Sequence, residues 1–75
     1  MRKSVKRAYE TLGFSEDKPA TSGTYAVVCM EYDDVPYLAN VCIDPGLVED
    51  PELGTTDLES YHCGLTDLLY KRVSD

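Results

Sequence analysis

The chain has 75 residues, with 7 Lys and Arg against 14 Asp and Glu, for a formal net charge of −7. That length allows one domain with one small core, worth no more than about 3–5 kcal/mol. Leu, Ile, Val and Phe supply 17 of the 75 residues, just above the roughly 20% below which a highly charged chain stays unfolded. The negative charge also opposes direct binding to nucleic-acid phosphates.

After Met1, the run Arg2-Lys3-Ser4-Val5-Lys6-Arg7 opens like a secretory n-region, but Tyr9, Glu10, Thr11 and Gly13 interrupt any apolar h-region. No run reaches the ~18 apolar residues of a membrane span. These features predict a soluble, cytoplasmic protein with no membrane association. Three cysteines, Cys29, Cys42 and Cys63, are odd in number and widely spaced. This is not a disulfide framework, and reduced thiols are expected.

Over residues 2–12, Val5, Ala8, Tyr9 and Leu12 fall at i, i+3, i+4 and i+7, the stripe of an amphipathic helix. Gly13 suits the left-handed residue after it, and Phe14 should fold back on Tyr9. Residues 15–23 are turn formers and polar side chains, a surface loop. Residues 24–32 and 37–44 are β-branched and aromatic-rich and predict a hairpin. With Asp33-Asp34-Val35-Pro36 as the connection, Tyr32 would face Tyr37, Met30 Ala39, Val28 Val41 and Ala26 Ile43, giving one wholly apolar face. Cys29 and Cys42 would then share the opposite face.

Residues 45–56 hold two prolines and two glycines and predict a long loop. Residues 57–73 predict a second helix, with Thr56 as N-cap, Glu59 at N3, and Leu58, Tyr61, Leu65, Leu68 and Arg72 at helical spacing. Gly64 is a weak point in mid-helix, costing about 1 kcal/mol relative to alanine. The expected fold is a single α+β domain spanning residues 1–75. Its order is α-β-β-α, an antiparallel hairpin covered on one face by two amphipathic helices.

No catalytic, metal or cofactor motif emerges. Cys29, Cys42, His62 and Cys63 lack the paired short spacing of a structural zinc site. His62 and Cys63 are helical neighbours that point about 100° apart, which does not suit a thiol and its base. "DPGLVEDPELG" is acidic but lacks the ligand order of a calcium loop, and it is not a phosphate-binding pattern either. Asp33 and Asp34 with Glu31 would be solvated at a hairpin tip, without cause for a tuned pKa. The expectation is a protein that is not an enzyme and carries no cofactor.

Charge distribution is the strongest signal. Residues 1–18 carry +2, residues 71–75 carry +1, and residues 19–70 hold ten acidic groups with no lysine or arginine. Solubility alone would explain an acidic total, but ordinary surfaces interleave the signs, because unrelieved repulsion destabilises the compact state. A one-signed stretch suits steering toward a partner protein with a basic surface, of the kind that holds nucleic acid. Glu31, Asp33, Asp34, Asp44, Glu49, Asp50 and Glu52 are the candidate partner-binding carboxylates, with Tyr25 as an aromatic anchor; Tyr32 and Tyr37 are expected to pack within the sheet. The protein would be a small acidic inhibitor or adaptor, presenting carboxylates where phosphates would sit. Size, charge and the missing catalytic site fit the profile of small virus-encoded antagonists, anti-CRISPR proteins among them, although no motif carries over any family's residues. The alternative is a salt-sensitive homo-oligomer in which the basic first helix of Arg2, Lys3, Lys6 and Arg7 meets the acidic hairpin or loop of another copy.

Overall fold

Val27, Val28 and Cys29 are consecutive and all buried. Successive residues of a strand point to opposite faces, so this strand is covered on both sides and sits inside a sheet. The computed structural model, which describes residues 2–30 and 35–74, shows that sheet. Its elements in chain order are α1 (Lys3–Thr11), β1 (Gly23–Met30), β2 (Pro36–Asp44), β3 (Leu47–Asp50), β4 (Gly54–Asp57), α2 (Leu58–Gly64) and β5 (Leu69–Ser74). The five strands form one sheet in the order β4-β3-β2-β1-β5, with every pairing antiparallel.

The expected α-β-β-α hairpin is therefore corrected to a single α+β domain with a five-stranded antiparallel sheet flanked by two helices. Three local readings change with it. Residues 45–56 are not a loop but the β3–β4 hairpin. Pro45 and Gly46 form the two-residue connection between Asp44 and Leu47, with Gly46 at φ 79°, as a turn needing a left-handed second residue requires. The predicted helix over 57–73 ends at Gly64, and Leu69–Ser74 forms β5 against β1. Asp57 rather than Thr56 caps α2, accepting a hydrogen bond from Ser60 N–H at 2.9 Å.

The register also differs. Met30 pairs with Pro36, Cys29 with Tyr37, Val27 with Ala39 and Tyr25 with Val41. Relative to the expected pairing this is an odd shift, so the odd-numbered residues of β1 face the core. Strand β1 is apolar on both sides, and its period-2 pattern does not choose between faces. Cys29 and Cys42 consequently lie on opposite faces.

The inner face packs Tyr25, Val27, Cys29, Tyr37, Val41, Ile43, Val48 and Tyr70 together with Tyr61 of α2 and Leu68. Burying each aliphatic or aromatic side chain of this kind contributes about 1.5–3 kcal/mol. Helix α2 thus crosses the core face and carries the chain from the β4 edge back to the β1 side. Helix α1 is more peripheral, with none of its residues buried. It ends in a Schellman motif: Phe14 N–H donates to Tyr9 C=O, Gly13 N–H donates to Glu10 C=O, and Gly13 takes φ 102°. The Tyr9 and Phe14 rings meet edge to face at 5.4 Å. Ser15 then exchanges two backbone hydrogen bonds with Tyr70, fastening this segment to the outer edge of β5.

Candidate functional site

The pleat that turns Val41, Ile43 and Val48 inward turns Leu38, Asn40, Cys42, Asp44, Leu47 and Glu49 outward. Cross-strand pairing sets them in rows. Asp44, Leu47 and Asp57 form one row across β2, β3 and β4. Thr24, Cys42, Glu49 and Thr55 form the next, across β1 to β4. All six outward residues of β2 and β3 are exposed, Leu38 at 59% and Leu47 at 52%. With strands about 4.8 Å apart, Asp44, Glu49 and Asp57 on three adjacent strands stand within roughly 10 Å, with the exposed Leu47 between Asp44 and Asp57 in the same row and the Asp57 carboxylate also capping α2; Leu38 lies at the far end of β2. The outward basic group Lys71 lies on β5, three strands from β3. There the Lys71 stem passes Gly13, and Val28 and Leu69 are fully buried. The outer face is thus covered toward β5 and open and acidic toward β4.

Among the sequence candidates, Asp44 and Glu49 share this outer face, and Ser22 Oγ donates to Asp44 Oδ1 at 3.1 Å. Glu52 is exposed in the β3–β4 turn. Glu31, Asp33 and Asp34 lie outside the described residues. Two candidates point elsewhere. Tyr25 is buried, its hydroxyl donating to Thr21 C=O at 2.8 Å and the Arg72 guanidinium lying 5.7 Å from its ring centre. Asp50 is only 4% exposed, too enclosed to present its charge to a partner.

Asp50 instead anchors the fold. Its Oδ1 accepts from Tyr37 O–H at 2.8 Å, Glu52 N–H at 2.8 Å and Leu53 N–H at 2.9 Å, and its Oδ2 accepts from Tyr61 O–H at 2.7 Å. Burial pushes this carboxyl up, but the four donors outweigh it and hold the group below its ordinary value. Burial first, then the hydrogen bond to Asp50 and its charge, raises both phenols, so both remain protonated donors. The Pro51-Glu52-Leu53 turn, strand β2 and helix α2 therefore meet on one carboxylate.

Sequence reasoning did not single out Asp57 as part of the site. Its cue is the alternation through Thr55-Thr56-Asp57, visible once β4 is taken as a strand. A cleft beside the acidic face was not legible either. It holds about 550 Å³ and runs between Lys18, Pro19 and Ala20 on one side and Asp57, Leu58 and Glu59 on the other. Lys18 Nζ meets Glu59 Oε2 at 2.5 Å, joining the two segments. The hydrogen bond and charge of each partner raise the Lys18 pKa and lower that of Glu59.

The cysteine and histidine side chains are separated. Cys63 Sγ donates to Glu59 Oε1 at 3.6 Å, His62 Nδ1 meets the Tyr70 hydroxyl at 3.0 Å, and Cys29 is in the core. Among the described residues no three His, Cys, Asp or Glu side chains converge as metal ligands do. Also among the described residues, no helix is long and apolar enough to cross a membrane. Comparison with protein-family models, curated proteins and solved structures finds no match to this chain.

Proposed function

We propose that this protein is a non-enzymatic inhibitor or adaptor that docks its outer sheet face on a basic, nucleic-acid-binding surface of another protein. The observation that supports this reading most is the placement of Asp44, Glu49 and Asp57 on three adjacent strands of one exposed face, with Leu47 in the row between Asp44 and Asp57. Carboxylates fixed on a sheet need little ordering on binding, which keeps the entropic cost of association low. Leu47 adds apolar contact that freely solvated acids lack. A partner groove built for phosphates would be filled by carboxylates, so nucleic acid and this protein would compete. Action in the cytoplasm is consistent with exposed, unbridged Cys42 and Cys63.

The test is capture of partners from cell lysate on immobilised protein, with elution by a salt gradient. The expected result is a nucleic-acid-binding protein that elutes at moderate salt, is displaced by a DNA or RNA oligonucleotide, and is lost with the double variant Asp44→Lys, Glu49→Lys. Capture that is indifferent to both salt and the double variant would refute the reading. Recovery of only the protein itself would point to self-assembly instead.

A further inference from the structure

The cleft between residues 18–20 and the start of α2 adjoins the acidic face, because Asp57 belongs to both. A narrower extension of about 80 Å³ continues it past Thr21, Ser22 and the Pro45-Gly46 turn to the inward-facing Ile43. Pro19, Ala20 and Leu58 give the cleft apolar walls, and Asp57 and Glu59 supply carboxylates. Such a lining matches a side chain with a methylene stem and a cationic head, the dual character of lysine and arginine. The molecule already shows such a cation at this place: Lys18 is paired with Glu59. It is also the last basic residue before 52 positions without lysine or arginine. Both members of the pair are exposed, with side chains 42% and 68% accessible. Exposed ion pairs hold weakly and exchange readily.

We propose that this cleft accepts a lysine or arginine side chain of the basic partner, with Lys18, on the cleft wall, holding the Glu59 carboxylate in the unbound protein. The inference rests on the docking reading above and adds the place where one partner side chain is anchored. On binding, the incoming cation takes Glu59, its stem lies along Pro19, Ala20 and Leu58, and Lys18 is released to solvent. Lys18 thereby lowers affinity for weakly basic surfaces and favours partners with a cation aimed at the cleft.

The test is fluorescence anisotropy with a labelled short peptide of alternating arginine and alanine, at low salt. Four variants are compared with the wild type, each checked for folding by thermal denaturation. Lys18→Met should tighten peptide binding by about threefold more than Lys3→Met, which makes the same charge change on α1. Glu59→Gln should weaken it. Equal effects of Lys18→Met and Lys3→Met would overturn the proposal. If Asp44→Asn combined with Glu49→Gln weakens binding while the Lys18 and Glu59 variants do not, the outer face stands and the cleft does not. If the wild type binds no peptide, both readings fall.

Discussion

Asp50 is where the local chemistry is most demanding. A buried charge is costly unless its lone pairs are filled, and here two phenols and two backbone N–H groups fill them. Removing one charge-assisted donor by Tyr61→Phe should cost about 1.5–3 kcal/mol, read as a lower urea midpoint at unchanged slope. Asp50→Asn should cost at least as much, because its amide nitrogen would meet donors. The pH dependence has a definite sign. The folded-state pKa of Asp50 is depressed, so its contribution is complete above the unfolded value of about 3.9 and fades as pH falls below it. Urea midpoints measured between neutral pH and pH 3 should drop more steeply for the wild type than for Asp50→Asn. Parallel curves would remove Asp50 from the acid response. From the sequence Asp50 looked like one surface acid among ten. No local pattern marks it, because the two tyrosines that bind it are 13 and 11 residues away.

The elements show what local pattern carries and where it stops. Helix α1 was legible because its stripe, Gly13 and Phe14 all lie within one short segment. The first hairpin was legible as an element but not in register, since β1 is apolar on both faces. The β3–β4 hairpin had its cue in Pro51-Glu52-Leu53-Gly54, after the Pro45-Gly46 turn out of β2, and in the inward Val48 and Asp50, but four-residue strands give little periodicity. The longest misreading was residues 57–73. Leu58, Tyr61, Leu65 and Leu68 do recur at helical spacing, yet only the first turns are helical. Gly64 weakens the helix, and Asp67 at φ 52° redirects the chain. Leu69 and Tyr70 then gain more from pairing with Val28 and Val27 on an otherwise open edge. Two substitutions test these elements. Leu69 is fully buried, so Leu69→Ala should destabilise by about 2–5 kcal/mol in chemical denaturation. Gly46→Ala meets open space but keeps φ 79°, so it should cost about 1–2 kcal/mol from backbone strain alone, without a cavity-type loss of packing.

For the whole molecule, the sheet sorts a uniformly acidic stretch into distinct roles. Asp50 goes to the core, Asp57 caps α2 at the end of β4, Glu59 pairs with Lys18, and Asp44 and Glu49 remain on the outer face. The charge of that face was legible in the sequence; its shape was not, since it depends on strands the sequence signalled only weakly. The proposed docking is to this face, rather than to acidity in general. Backbone-amide chemical-shift mapping of the labelled protein, titrated with the arginine–alanine peptide, tests it most directly. Shifts should concentrate at residues 38–49 and 55–59 and be abolished at about 0.5 M salt, where the Debye length falls to a few ångströms. Shifts spread evenly over every exposed acid, Glu10 and Asp67 included, would contradict it and leave the acidic stretch as a feature of solubility.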